Sequence, residues 1–379
     1  MATFEPPPSV PVTPRPAKRF GPGKVLPALL AATALLDGGL RLVPLERFAF
    51  RAWEPLTISP APSAVFAANK TIDLPRCWGD LPNLGNYPED RRYHREVFST
   101  DPFGFRRSAA LLPGEKADAV LFGDSQAAGC GVSDDETLAS RLFLRTGRKV
   151  FNAGARNFSS IRRIREICRL ARLEHGVVVY LVNEKTGLPP IVEGRASALE
   201  AHAVPATPSW AISRLAIVAG RGVRRVEAVL GVHDASRVTR ATLRNGESIL
   251  FLNEDYEHPL SEDEARIAEW THLEEELAKD GQRLLVVFLP LSGTVYRPLC
   301  APPVPTADRV AAIDRVSTRL RLAGVETLDL TPLLLASARD GIASSRYVFL
   351  LDDTHWNPAG IDVAAGAIAD RLAWRPPGS

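Results

Sequence analysis

One serine stands where the chain would deliver it for chemistry. Val120 to Phe122 is an apolar run that stops at Gly123-Asp124-Ser125 and continues through Gln126-Ala127-Ala128-Gly129 into helix-like sequence. This is the pattern of a strand that ends at the rim of a sheet with a serine at its tip. A serine hydroxyl is a weak nucleophile at neutral pH and needs a histidine base, a carboxylate to orient that base and donors for a developing oxyanion. Candidates for all of these lie downstream. Leu351-Asp352-Asp353-Thr354-His355-Trp356-Asn357-Pro358-Ala359-Gly360 packs two carboxylates, a histidine and a helix start into ten residues. Of seven histidines only His355 has that setting. From the residues alone Asp352 and Asp353 are both open as the orienting carboxylate.

The elements around these residues must bring them together. Lys149 to Asn152 reads as a short strand that breaks at Ala153-Gly154-Ala155, and Val177 to Val182 as a nearly continuous apolar strand ending at Asn183-Glu184. Apolar runs of that kind are buried on both faces of a parallel sheet. Between them lie a helix entered through Ser133-Asp134-Asp135-Glu136, which has capping-box spacing, and a second helix from Ile161 to Leu173 with an arginine-rich face. Further on, a helix opened by Ser261-Glu262-Asp263-Glu264, a strand at Arg283 to Leu289, a helix at Val310 to Leu322, a strand at Val325 to Leu330 and a helix at Thr331-Pro332 follow in order. Asn357 as N-cap and Pro358 at the first helical position start a last helix that turns Ile361, Ala364, Ala365, Ile368 and Leu372 to the core. Strand and helix in alternation predict a doubly wound α/β fold whose crevice lies at the strand carboxyl ends. Ser125, Gly154 and Asn183 all fall at that edge. A glycine there lets a backbone N–H approach an oxyanion, and an asparagine amide can donate a second bond.

Composition narrows the function classes. The 379 residues and 45% hydrophobic content suit one large α/β domain with appendages. Forty-six basic and 44 acidic side chains leave a net charge of +2, which gives no overall bias toward nucleic acid. Cys77, Cys130, Cys168 and Cys300 have no zinc-ligand spacing and read as buried thiols or as one or two disulfides. The chemistry outlined requires no metal or organic cofactor.

Residues 1–24 are proline-rich and basic, a composition that does not bury enough surface to fold. Residues 25–45 are mostly apolar, interrupted by Asp37-Gly38-Gly39 and Arg41. About 20 apolar residues cross a bilayer core, so the segment reads as a signal anchor, with a cleaved signal peptide and a soluble helix as alternatives. Basic residues ahead of it place the remainder outside the cytoplasm. Residues 46–116 form a wrapping segment of little periodicity with scattered aromatic residues, and residues 188–257 an insertion. Within the insertion, Trp210 to Ala219 and the arginines after it have an apolar-then-basic pattern that suits either a packed helix or a membrane surface.

Taken in order, Gly123-Asp124-Ser125, Gly154, Asn183 and the Asp/His pair ending at His355 resemble the four sequence blocks of the SGNH, or GDSL-type, hydrolase superfamily. The wording Asp353-Thr354-His355-Trp356-Asn357-Pro358-x-Gly360, the anchored N-terminus and Asp101-x-x-Gly104-Phe105-Arg106 are similar to the branch of alginate and exopolysaccharide O-acetyltransferases and acetylesterases. The third block departs from the usual Gly-x-Asn-Asp, reading Val182-Asn183-Glu184. The common Asp-x-x-His spacing selects Asp352, and the Asp-Thr-His-Trp wording selects Asp353. The resemblance implies a three-layer α/β/α sandwich, flavodoxin-like, around a mainly parallel five-stranded sheet at residues 117–374. It also implies a serine O-acetyltransferase or O-acetylesterase of the periplasm or cell surface, acting on an exopolysaccharide or other O-acylated glycan through an acetyl-Ser125 intermediate. His355 would be its base, Asp353 or Asp352 would orient the ring, and Ser125, Gly154 and Asn183 would hold the oxyanion. A transferase outside the cytoplasm further implies a membrane-bound O-acyltransferase as acetyl supplier. Two other readings stay open: a glycan-binding subunit of an export system with a degenerate site, and a small-ester lipase or esterase.

Overall fold

A computed structural model describes residues 22–57, 66–108, 111–112, 114–155, 160–193, 212–253, 263–304 and 309–375. Its centre is a parallel sheet of five strands, β3 (Ala119–Phe122), β4 (Val150–Asn152), β5 (Val177–Asn183), β8 (Arg283–Leu289) and β9 (Glu326–Asp329), in the order β4-β3-β5-β8-β9. Alternation along the strands sends their side chains into two cores. Leu121, Val179, Leu285 and Val287 meet α4 (Leu138–Thr146), α8 (Ser292–Tyr296), α10 (Thr331–Gly341) and α11 (Pro358–Arg371) on one face. Val120, Phe122, Val178, Tyr180, Val286 and Phe288 meet α5 (Ile161–Leu170), α7 (Glu264–Lys279) and α9 (Arg309–Leu322) on the other. The three-layer α/β/α expectation holds, with the strand order reversing at β3. Such a reversal opens a crevice at the carboxyl ends of the flanking strands, which is where β3 hands the chain to Ser125 at the start of α3 (Ser125–Ala128).

Three local expectations change. The segment before residue 117 contains an antiparallel hairpin, β1 (Thr71–Cys77) with β2 (His94–Ser99), separated by the short α2 (Leu81–Leu84). The insertion carries another, β6 (Val238–Thr242) with β7 (Ser248–Leu252), after α6 (Arg214–Val229). Ser261 lies outside the described residues, and the cap of α7 is Asp263, whose side chain accepts from Ala265 N. Residues 1–21 lie outside them as well, and Pro22–Leu40 is α1. Among the described residues no helix is long and apolar enough to cross a membrane, so a bilayer-spanning anchor at residues 25–45 is unsupported. All four cysteines are buried and free.

The β1–β2 hairpin is tied to the serine side of the sheet by buried charge. Glu96 is fully buried and accepts from Gly131 N at 3.1 Å and Ala52 N at 3.0 Å. Arg106 sits 3.6 Å over the Phe98 ring, donates to the carbonyls of Gly129, Val132 and Val97, and pairs with Asp134 at 3.0 Å. One guanidinium thus closes the loop that follows α3. Breaking one side of a buried ionic network costs roughly 3 kcal/mol or more. Arg106→Met is therefore expected to lower unfolding free energy by about 3 kcal/mol in urea titration. A loss inside 0.5 kcal/mol would mean the loop holds without it.

Candidate active site

The serine turn is shaped by what cannot fit. Gly123 has φ +140°, and a Cβ there would lie 2.7 Å from Leu181 O and 2.8 Å from Ala127 Cβ. Asp124 caps α3 by accepting from Gln126 N at 2.9 Å. A Cβ on Gly154 would stand 2.3 Å from Ala128 N, so the end of β4 packs directly on the serine helix. Ala155, at φ 139°, donates to Gly123 O at 3.1 Å. Two adjacent strand ends therefore hold each other in backbone conformations that L side chains rarely adopt.

His355 comes from the far end of the chain on a closed loop. Phe349 and Trp356 form an antiparallel bridge, and Leu350 N donates to His355 O at 3.0 Å. Asn357 caps α11 through Ala359 N and Gly360 N while its amide donates to Tyr347 O and Phe349 O. The Gln126 side chain clamps the other side: Nε2 donates to Thr354 O at 3.0 Å, and Oε1 accepts from Trp356 N at 3.2 Å. Held this way, the imidazole has Nδ1 2.6 Å from Asp353 Oδ1 and Nε2 2.8 Å from Ser125 Oγ. A carboxylate accepts only, so Nδ1 carries the proton in the neutral ring and Nε2 is left to accept from the hydroxyl.

Asp352 does other work. Its Oδ2 accepts from Gly79 N at 2.9 Å and Arg92 N at 2.8 Å, fastening the wrapping segment to the loop. A Cβ at residue 79 would lie 1.9 Å from Asp352 O. The carboxylate on the ring is Asp353, not Asp352.

The segment also brings charge. Arg51 stacks over Phe50 and Trp53 and pairs with Glu54 at 2.9 Å and Asp80 at 3.1 Å. Asp80 N donates to Asp353 at 3.3 Å. Burial, then repulsion from Asp353, pushes the Asp80 carboxyl up to about 6, and burial also raises Asp352 to about 6 despite its two N–H donors. Burial opposes ionisation of Asp353 as well, but the His355 charge and hydrogen bond, with Arg51 beyond, outweigh it and hold the carboxyl below its ordinary range. For His355, burial disfavours the cation; Asp353 and then Asp80 more than offset it, and Arg51 acts against them, so its pKa lies above the ordinary imidazole value.

The remaining expected residues fall at the same edge. Gly154 N donates to Asn152 Oδ1 at 2.9 Å, and Asn152 Nδ2 donates to Ala127 O at 3.1 Å. The Gly154 N–H is thus engaged within the protein. Asn183 is buried at the end of β5; its Oδ1 accepts from Lys185 N at 2.8 Å, and its Nδ2 has no partner among the described residues. The Ser125 N–H likewise finds no acceptor there. Gln126, Arg51, Asp80 and Asn152 were not anticipated. Gln126 and Asn152 carried a faint signal, as amides beside the serine and the glycine; Arg51 and Asp80 carried none. Among the described residues no group of three or more His, Cys, Asp and Glu is placed to hold a metal.

A parallel sheet that presents a serine, an asparagine and a histidine–aspartate loop at its carboxyl edge is the arrangement of an SGNH hydrolase-like domain. Residues 248–378 match the family model of the SGNH hydrolase-like domain of the acetyltransferase AlgX. The match supports the SGNH superfamily and, within it, the alginate O-acetyltransferase-like branch. It takes in Asp353 and His355 but not Ser125. Among solved structures, protein YxiM of Bacillus subtilis is 10% identical, covering 83% of this chain and 86% of its own at a TM-score of 0.36. Another solved chain is 14% identical over 70% of this chain and 98% of its own at 0.35. At these scores the two likenesses carry no argument. No curated protein matches the chain.

Two outcomes test the site. Gln126→Met keeps the side-chain length and removes both bonds that flank His355; at about 1 kcal/mol for each bond, turnover on an acetyl ester should fall about thirtyfold with KM little changed. A base must be neutral to accept a proton, so kcat/KM should rise with pH through the His355 pKa. The charges that act on that ring are Asp353, Asp80, Asp124 and Arg51. Arg51→Met removes the cation among them and should move the acid limb to higher pH. A limb that stays in place would remove Arg51 from the electrostatics of the base.

Proposed function

We propose that this protein is an extracytoplasmic serine O-acetyltransferase or O-acetylesterase acting on a polysaccharide. The observation that carries the reading is the position of His355, between Ser125 Oγ at 2.8 Å and Asp353 Oδ1 at 2.6 Å. Ser125 Oγ attacks the carbonyl carbon of an acetyl ester as its proton passes to His355 Nε2. The C–O bond to the leaving alkoxide breaks, and that oxygen takes the proton from His355. Acetyl-Ser125 remains. In the second half His355 takes a proton from water or from a sugar hydroxyl, the resulting oxygen attacks the acetyl carbon, and Ser125 Oγ recovers the proton. Asp353 keeps the ring in the tautomer that both halves need. The Ser125 N–H and the Asn183 amide are the donors assigned to the oxyanion. Gly154 contributes through its close packing on α3, since its own N–H is spent on Asn152. Water as acceptor makes the protein an esterase and a glycan hydroxyl makes it a transferase. The transferase form draws acetyl groups from a membrane-bound O-acyltransferase.

One observation favours a second reading. A Gly154 N–H engaged within the protein leaves the oxyanion site with fewer donors than the family pattern implies, as expected of a glycan-binding subunit with a degenerate site. Intact-mass labelling with a serine-directed phosphonate separates the two. The proposal expects one adduct on the wild type and none on Ser125→Ala; a folded wild type that stays unlabelled leaves the binding reading. With an activated acetyl ester and an oligosaccharide present, acetylated sugar then marks a transferase and free acetate an esterase.

A further inference from the structure

The carboxylate of Asp353 is held unevenly. Its own loop supplies every donor to Oδ1: His355 Nδ1 at 2.6 Å, His355 N at 3.2 Å and Thr354 Oγ1 at 3.5 Å. Oδ2 is left to the wrapping segment. There Gly79, Asp80 and Leu81 turn three successive N–H groups onto the acidic pair, Gly79 N donating to Asp352 Oδ2 at 2.9 Å, Asp80 N to Asp353 Oδ2 at 3.3 Å and Leu81 N to Asp352 O at 3.3 Å. Among the described residues the Asp80 N–H is the only donor to Asp353 Oδ2. A neutral side chain at residue 80 would serve this cradle as well, since only the backbone takes part in it.

What stands there is a second carboxylate. It is poorly solvated and repelled by Asp353, and its Oδ1 is shut off from water without a donor. An acid in such a place is costly unless a cation answers it. The cation is Arg51, which reaches Asp80 Oδ2 at 3.1 Å and Glu54 at 2.9 Å and lies over the rings of Phe50 and Trp53. Arg51 is thus occupied by two carboxylates of its own segment, and among the described residues it makes no ion pair with Asp353. A guanidinium bonded to Asp353 would work against the site. It would offset the charge that supports the imidazolium while His355 holds the serine proton, and it would compete with the ring N–H for the carboxylate. We propose that Asp80 is a positioning residue of this site, which engages Arg51 and so keeps the charge and the lone pairs of Asp353 for His355. The inference rests on the reading of Ser125, His355 and Asp353 as a working triad.

The test is a cycle of Asp80→Asn, Arg51→Met and the double variant in the full chain, read as the pH dependence of kcat/KM on p-nitrophenyl acetate. Asparagine keeps the backbone N–H and the side-chain shape and removes the charge. The charged groups facing His355 are Asp353 from its own loop, Asp80 and Arg51 from the wrapping segment and Asp124 from the serine turn. After Asp353, Asp80 holds the pKa of the ring up, so Asp80→Asn should move the acid limb to lower pH and lower the plateau kcat several-fold with KM little changed. Asp80→Glu, which restores the charge, should recover most of both. In the Arg51→Met background the Asp80→Asn change should shift the limb much less, since no guanidinium is left to turn on Asp353. Equal shifts in the two backgrounds would make Asp80 an independent charge and overturn the inference, as would a limb that stays in place. Asp80→Ser, which also keeps the N–H without the charge, gives the same reading if Asp80→Asn does not fold. Labelling with the serine-directed phosphonate separates the two ways of failing. A folded wild type that takes no adduct removes the triad and the inference with it, whereas labelled protein with equal shifts removes the role of Asp80 alone.

Discussion

The structure depends on burying the Asp353–His355 pair in a loop that cannot move. A carboxylate taken out of water is costly unless charge and hydrogen bonds replace what it loses. Asp353 receives the ring N–H and the His355 backbone N–H from its own loop, and Asp80 N from the wrapping segment. Those donors are aligned only because the loop is gripped from every side: by Asn357 below, by Gln126 from the serine turn, and through Asp352 from the β1–β2 side. The first turn of α3 thus does two things at once. It places the hydroxyl and, through Gln126, it sets the histidine that the hydroxyl meets.

Three neighbouring carboxyls then compete for ionisation. All three are poorly solvated, the Asp353 charge repels both Asp80 and Asp352, and the proximity of Arg51 and His355 favours Asp353. Asp353, bonded to the ring, stays well ionised; Asp80 and Asp352 are displaced upward. The division matches their positions. The ionised carboxylate is the one that can stabilise an imidazolium, and the reluctant two serve as anchors, Asp80 to Arg51 and Asp352 to backbone N–H groups.

Much of the sheet and the serine–histidine pair could be read from sequence because each chemical group sits at the end of a regular element, inside a short run whose capping or strand pattern marks it. Asn357-Pro358 and Val177 to Asn183 are such runs. What escaped was the wrapping segment. Gly79 matters because it meets Asp352, 273 residues away, and Glu96 because it reaches Ala52 and Gly131. Neither residue has a local pattern to announce its partner. The Asp352–Asp353 ambiguity had the same origin, since loop direction alone decides which of two adjacent carboxylates faces the ring.

Glu184, the departure in the third block, shows how a changed residue can leave a site's frame standing. It is buried, and its carboxylate accepts from Leu291 N at 2.8 Å and from Thr294 Oγ1 at 2.8 Å. Those groups open the first turn of α8, where unpaired N–H groups and the helix dipole favour an anion. The carboxylate therefore joins the end of β5 to the loop after β8, across the strand pairing Asn183 with Leu289. Asn183 keeps its place beside the serine turn because its neighbour is tied down in the opposite direction. The glutamate is an anchor for the edge of the crevice, and its presence is no sign that the edge has lost its purpose.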